Sequence, residues 1–351
     1  MSDTGDKFSI VLPVRNGAEH IGNAITSVLS QTYTNFELII LENCSDDGTQ
    51  AIIHSFDDSR IQIYPSSSPQ SIEVNWRRIL DLDLDEYLTI LGHDDLLYPD
   101  YLQKMQELIL KYPDASLYHA HFNLIDREGA LIRPCWKMPI IETAEDFLRA
   151  RQRGERDCYG TGYLMRTKEY LDVGGFPPYP QLIYSDDVLL YQLTSKSFQV
   201  CSPHYLFAYR LHRNSISSSV NVANLYEASR CYIEFNLSLP PAENRDNLEV
   251  TRRFVEQQFK GRVLQILLNL MISQDRQDMA SYQEQMDRAQ AQAGRDDFFR
   301  VRSKLISFFE SVVFLNIPRI IRQIFARSVI YIALLRRKIR DQYLQRLIST
   351  R

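Results

Sequence analysis

Cysteine is sparse in this chain of 351 residues: Cys44, Cys135, Cys158, Cys201 and Cys231 are odd in number and scattered, with no Cys-x-x-Cys pair. That excludes a zinc ribbon or a dense disulfide framework and leaves reduced thiols as the reading. Glycine is thin too, at 13 residues, and no Gly-x-Gly-x-x-Gly follows the first apolar run, where only Gly17 and Gly22 occur. A dinucleotide fingerprint is therefore missing, and so is the Gly-Lys-Ser/Thr of a phosphate-binding loop after a strand. Neither sign of charge dominates: 40 Lys and Arg face 44 Asp and Glu, a net of −4 that argues against a nucleic-acid binder. The first residues lack the basic, then apolar, pattern of a secretory leader, so a cytoplasmic location is expected. What is present, 44% hydrophobic and 24% charged residues, is ordinary globular composition, and the length suits two domains or one large domain with an appendage.

Phe8 to Leu12 is a short apolar run with β-branched residues, ended by Pro13 and the turn pair Asn16-Gly17, and it reads as a buried strand. Ile21, Ile25, Val28 and Leu29 then recur at helical spacing, and Phe36 to Leu41 is a second strand. Further strands are expected at Arg60 to Tyr64 and Tyr87 to Leu91, with helices over Glu73 to Leu82 and Pro99 to Tyr112. Strands alternating with helices predict an α/β fold around a mostly parallel sheet, whose ligands bind beyond the carboxyl ends of the strands. Three times the chain delivers polar groups there: Arg15-Asn16, Glu42-Asn43 and Gly92-His93-Asp94-Asp95. Beyond about residue 225, helical patterns over Leu248 to Ile272 and Met279 to Ala293 mark a helical appendage. The expected division is 1–225, 226–300 and a tail, 301–351.

Residues 302–351 hold 11 Lys and Arg against 2 Asp and Glu, a local balance of +9 that leaves the first 301 residues at −13. Bulky apolar residues interleave with these charges from Phe308 to Leu335. The longest charge-free stretches, Ser311 to Pro318 and Ser328 to Leu335, are too short to span a bilayer. An in-plane helix on an anionic membrane surface is the expectation; the structural use of such a tail is packing on the protein itself or on a partner.

Asp94-Asp95 follows a buried strand with no basic residue beside it, a donor set suited to a hard divalent cation that also meets phosphate oxygens. The structural alternative is an aspartate capping the helix that opens near Pro99. Ser185-Asp186-Asp187 is by itself also a good helix start. Arg210 and His212 alternate, so on a strand they share a face. Trp76 reads as core more than as a platform for a sugar.

Taken in order, Phe8-Ser-Ile-Val-Leu-Pro-Val-Arg-Asn-Gly17, Glu42-Asn-Cys-Ser-Asp-Asp-Gly-Thr49, Leu91-Gly-His-Asp-Asp-Leu-Leu-Tyr-Pro-Asp100 and Ser185-Asp-Asp-Val-Leu-Leu190, which follows Val173-Gly-Gly-Phe176, resemble the motifs of family 2 inverting glycosyltransferases of GT-A fold. A fifth stretch, Tyr209-Arg-Leu-His-Arg-Asn-Ser-Ile-Ser217, is similar to the segment that returns to the pyrophosphate. The likeness covers residues 8–217. It implies a GT-A nucleotide-sugar-binding domain with a C-terminal helical extension. It also implies transfer of a sugar from a nucleotide-sugar, UDP being the default nucleotide, to a hydroxyl of a glycan or lipid-linked glycan in cell-surface polysaccharide synthesis.

Position by position, the resemblance places Pro13, Asn16, Glu42 and Asn75 around the base and ribose. It gives Asp94 to donor and metal, Asp95 to the metal (Mn²⁺ or Mg²⁺), His212 to a second metal or pyrophosphate contact, and Arg210 to the leaving diphosphate. Asp187, second of the acidic pair, is the implied base, with Asp186 as the fallback. Two departures stand out: Gly92 where Asp is frequent, and Glu42-Asn43 where two Asp are common. They motivate a second reading, a catalytically impaired nucleotide-sugar-binding subunit that needs a partner. The expected partners are the donor, the acceptor and, through the tail, the cytoplasmic face of a membrane; a homo-oligomer is compatible and nucleic acid is not expected.

Overall fold

Every residue of the first strand, β1 (Phe8–Val14), is buried, and its two-residue alternation divides the core. Phe8, Ile10, Leu12 and Val14 face one layer, where they meet Ile21, Ala24, Ile25 and Val28 of helix α1 (Ile21–Leu29); Val11 faces the other. The computed structural model describes residues 5–211, 221–239, 247–273 and 276–293, together with Ile306 and Glu310. These fall into two compact units, Met1–Val220 with Ala228–Thr251, and Asn221–Glu227 with Arg252–Arg351.

After α1, the first unit continues through β2 (Phe36–Glu42), α2 (Thr49–His54), β3 (Ile61–Pro65), α3 (Ile72–Arg77), β4 (Tyr87–Ile90), β5 (Leu96–Leu97) and α4 (Tyr101–Lys111). Next come β6 (Leu117–Ile125), β7 (Leu131–Pro134), β8 (Ile141–Glu142), α5 (Ala144–Gln152), β9 (Leu164–Arg166), α6 (Thr167–Asp172), α7 (Ser185–Thr194), β10 (Gln199–Arg210) and α8 (Val222–Ser238), whose last part returns to this unit. The sheet order is β3-β2-β1-β4-β9-β6-β10-β5, with β7 on β6 and β8 on β10. β1 to β4 are mutually parallel, and so are β6 and β10; β9 runs antiparallel between the two sets. Both faces are covered, by α1 and α4 on one side and by α5, α6 and α7 on the other. That is why β1, β2 and β4 are buried throughout rather than alternating, each Leu or Ile so buried contributing about 1.5–3 kcal/mol.

Pro13 lies inside a central strand, where its missing N–H would ordinarily break the ladder. The Val11 carbonyl accepts from Leu91 on the β4 side, and residues two apart share a side, so Pro13 also faces β4. The pairing with β4 ends at Val11↔Ile90, whereas that with β2 runs on to Val14↔Glu42. The proline therefore removes a donor that has no partner to lose, and the strand reaches the rim intact.

The expected helix over Glu73 to Leu82 is shorter: α3 stops at Arg77 and a tight 3₁₀ turn carries Arg78–Asp81. In the second unit, Val255, Phe259, Val263 and Leu267 repeat every four residues along the helix Asn247–Ser273 and are all buried. Tyr282, Met286 and Ala289 form the matching stripe on the helix Arg276–Ala293. Among the described residues no helix is long and apolar enough to cross a membrane. His212 and all of the basic tail except Ile306 and Glu310 lie outside the described residues.

Candidate active site

The parallel strands β1, β2 and β4 end at one rim, and their loops are bonded together there. Asn16 takes a left-handed backbone (φ 52°), a conformation asparagine tolerates better than most side chains. Its amide donates to Ser45 Oγ (3.0 Å) and its side-chain oxygen accepts from the Asp46 amide (3.0 Å). The Gly17 amide donates to Thr49 Oγ1 (2.8 Å) and the Ala18 amide to Asp47 (3.0 Å). Glu42 is buried and accepts from the amides of Ser45 (2.7 Å) and Cys44 (3.1 Å), which closes the loop after β2. Arg78, absent from the sequence expectations, donates to Asn75 Oδ1 (2.8 Å) and to the carbonyls of Glu42 (3.3 Å) and Tyr64 (2.6 Å). So Asn75 and Glu42 are tied to one buried-side arginine, and Asn43 exchanges two hydrogen bonds with Gln70.

The loop after β4 holds Asp94 and Asp95. Asp95 is 1% exposed and its Oδ1 accepts from the Arg210 amide (2.9 Å). The Arg210 guanidinium goes elsewhere, to the carbonyls of Asp94 (2.8 Å), Asp126 (2.9 Å) and Arg127 (2.8 Å). Burial, and then the neighbouring Asp94 charge, push the Asp95 carboxyl well above the usual range. Adjacent carboxylate oxygens are donors that fit a hard divalent cation. Gly92 has a steric reason: a Cβ there would lie 2.6 Å from Asp95 Oδ2 and 3.0 Å from Asp94 Oδ1. His93 packs on Gly17, where a Cβ would meet its ring at 2.4 Å, and so joins the first and third loops.

The second acidic pair opens α7, after a stretch in which Gln181, Leu182 and Tyr184 all have positive φ. Asp187 is 3% exposed and holds Arg151 of α5 in a two-pronged ion pair, Nε to Oδ1 and Nη2 to Oδ2 (2.9 Å). Asp186 is more exposed, and its Oδ1 accepts from the Asp187 amide (3.0 Å). Cys158 joins this pair: one ligating atom from each of Cys158, Asp186 and Asp187 lies within 4.8 Å of the others. Arg151 already supplies positive charge there. Four residues further on, the Gly162 amide donates to the Ile90 carbonyl (3.0 Å), and the Thr161 hydroxyl accepts from the Gly92 amide (3.1 Å). The stretch Cys158–Gly162 thus connects the two acidic pairs. Trp76 packs edge-on against Phe176, a core contact as expected.

With this arrangement in view, the sequence pattern of glycosyl transferase family 2 matches residues 9–170, from β1 through most of α6. Over those residues the chain belongs to glycosyl transferase family 2. Among relatives of the family 2 chain, an uncharacterized glycosyltransferase of Rickettsia conorii is 29% identical over 226 residues, 62% of this chain and 36% of that protein. TuaG of Bacillus subtilis, a glycosyltransferase named for teichuronic acid biosynthesis, is 26% identical over 215 residues, covering 60% of this chain and 81% of TuaG. This chain matches 36% and 38% of the length of two of the Rickettsia relatives. The fold is that of the GT-A glycosyltransferase TarS: the crystal structure of S. aureus TarS 1–349 with UDP-GlcNAc superposes with a TM-score of 0.62 at 13% identity, over 91% of this chain and 89% of that one.

Arg151, Cys158 and Thr161 were not among the expected site residues. Arg151 sits in the run Arg149-Ala-Arg-Gln-Arg153, which in sequence looks like the solvated face of a helix. Cys158 had been counted only as a thiol, and Thr161 belongs to no periodic pattern.

Proposed function

We propose that this family 2 chain transfers a sugar, with inversion, from a nucleotide-sugar to a hydroxyl of a glycan or lipid-linked glycan in cell-surface polysaccharide synthesis. The observation that carries this reading is the Cys158–Gly162 stretch, which binds the Asp94–Asp95 loop at one end and meets Asp186–Asp187 at the other. Asp95 and Asp94 are the residues that would hold Mn²⁺ or Mg²⁺, and the cation when bound offsets charge on the diphosphate. Asn16, Glu42, Asn75 and Pro13 shape the wall for base and ribose. Arg210 holds the loop of Asp94 and Asp95 to the end of β6. A carboxylate of the α7 pair takes the acceptor proton. UDP is the favoured nucleotide because TarS was crystallised with UDP-GlcNAc and with UDP. Polysaccharide synthesis is supported by the teichuronic acid role in TuaG's name.

Gly92 and Glu42 motivate the reading as an impaired subunit. At position 92 a Cβ would crowd the carboxylates of Asp95 and Asp94, which gives the glycine a packing reason as well. The test is calorimetry of UDP, GDP and dTDP with and without Mn²⁺, on the wild type and on Asp95→Ala and Asp94→Asn. Metal-dependent binding of one nucleotide, weakened in both variants, is the expected result; no binding by any nucleotide would sink the reading. The balance of +9 in residues 302–351 supports attachment to an anionic membrane surface. Deleting that segment should abolish sedimentation with anionic liposomes and spare nucleotide binding, and sedimentation that persists argues against the attachment.

A further inference from the structure

Asp95 is steadied from two directions by groups that belong to other parts of the chain. On one side its Oδ1 accepts from the Arg210 amide of β10 (2.9 Å). On the other, its Oδ2 lies against Gly92, which opens the turn that the Asp95 amide closes on the Gly92 carbonyl (3.0 Å). The Gly92 amide is held in turn by the hydroxyl of Thr161 (3.1 Å), a buried residue. The backbone that carries this hydroxyl is fixed by packing of its own. Gly162 has a left-handed backbone (φ 74°), a Cβ there would strike the Phe207 ring at 2.8 Å, and its amide donates to the Ile90 carbonyl (3.0 Å). Gly160 lies against Phe176 and Trp76, and Tyr159 stacks on Tyr209, with ring centroids 3.7 Å apart, next to Arg210. The place of the Thr161 hydroxyl is thus set by the core and not by the loop it serves.

We propose that Thr161 is a positioning residue whose hydroxyl aims the Asp95 carboxylate at the divalent cation, an inference that rests on the reading above of Asp94 and Asp95 as the residues that hold it. A hydroxyl has one proton to give and lone pairs with which to accept, and both are used here. It accepts from the Gly92 amide, and its proton faces two acceptors, the Ile90 carbonyl (3.3 Å) and the Asp95 carboxyl. The carbonyl is already served by the Gly162 amide. Burial and the Asp94 charge raise the Asp95 carboxyl, and the hydroxyl works against them by favouring its charged form. A hydrogen bond to a ligating carboxylate fixes its orientation, and losing such an outer partner typically costs about 10–100-fold in metal affinity. Arg210 reaches Asp95 through its backbone amide, which no replacement of the arginine side chain removes. Thr161 is therefore the position where a single substitution separates the aim of the carboxylate from the fold of the loop. Valine has the shape of threonine without the hydroxyl, and serine has the hydroxyl without the methyl.

The test compares the full chain as wild type, Thr161→Ser, Thr161→Val and Asp95→Ala. Electron paramagnetic resonance of free Mn²⁺ gives the ion's dissociation constant, and thermal melts without Mn²⁺ report on the fold. Thr161→Val should weaken Mn²⁺ binding about 10–100-fold. Thr161→Ser should bind the ion as the wild type does, even where its melting point falls. A role confined to packing gives the opposite pattern, in which the melting points move and the Mn²⁺ affinity stays. Calorimetry of UDP supplies a second readout. At saturating Mn²⁺, UDP binding by Thr161→Val should return to the wild-type affinity, because the hydroxyl acts through a ligand of the ion and not on the nucleotide. Wild-type Mn²⁺ affinity in Thr161→Val, equal weakening in the serine and valine variants, or UDP binding that stays weak at saturating Mn²⁺ each overturns the inference. Should Thr161→Val not fold, Thr161→Ala takes its place in the same comparison. A wild type that binds no Mn²⁺, with or without UDP, sinks the cation reading and this inference with it. Mn²⁺ binding that Asp95→Ala abolishes and Thr161→Val leaves untouched sinks this inference alone.

Discussion

Two pairs of adjacent aspartates, Asp94–Asp95 and Asp186–Asp187, each have an arginine beside them, and the two arginines are used in opposite ways. Arg210 gives Asp95 only its backbone amide and turns its guanidinium to three carbonyls. Arg151 gives its guanidinium to Asp187 directly. The first pair is thus held by an arginine through its backbone amide, the second through a guanidinium fork on one of its carboxylates. The surroundings of an acidic pair are set here by where a guanidinium points, since both pairs read Asp-Asp followed by apolar residues.

The most severe way to break that contrast is to remove the clamp. Arg151→Gln leaves Asp187 as an unpaired charge in a site 3% exposed and should destabilise the chain by about 3–5 kcal/mol, read from urea unfolding at neutral pH. The contrast sharpens on adding Mn²⁺. At a hundred times its dissociation constant the ion should stabilise the wild type by about 2.7 kcal/mol, an increment that a chelator reverses and Asp95→Ala lacks. Gly92→Ala forces a methyl against the Asp95 carboxylate and should cost about 1–3 kcal/mol in thermal melts while weakening Mn²⁺ binding. The contrast also shows in the pH dependence of stability. Because the folded state raises Asp186 to about 7, it holds a proton that the unfolded chain releases near pH 4. That contribution to stability is complete below the unfolded value and is lost as pH rises through the folded one. Comparing urea midpoints of wild type and Asp186→Asn between pH 4 and 8 should expose it as a steeper loss of stability with rising pH in the wild type.

The first half of the α/β unit was largely legible. β1, β2, β3 and β4 lie within a residue or two of the apolar runs that announced them, α1 and α4 follow their periodicities, and α7 opens at the helix start read in Ser185-Asp186-Asp187. The second half was not. β6 carries His119 and His121 among its apolar residues, which masks the pattern of a buried strand. His121 is accommodated because its Nε2 accepts from the Met138 amide (2.9 Å), which leaves Nδ1 to donate to the Ser202 carbonyl (2.9 Å); both partners are remote in sequence. β9 has three residues and β10 a bulge, too little regularity to read. At the site, the acidic residues stood out because polar groups just after buried strands are informative. Their supports, Arg78, Arg151 and Thr161, did not, since each has a partner remote in sequence, up to 69 positions away, and no local signature.

By itself the sequence determined the layered order of strands and helices, because burying a strand on both faces demands continuous apolar runs and a helix demands its own period. It also determined which acidic residues reach the strand ends. Only the tertiary structure decided what each of them does. Carboxylates of the same type acquire different surroundings from burial, from the charge beside them and from the aim of a guanidinium, and all three are set by contacts between distant parts of the chain.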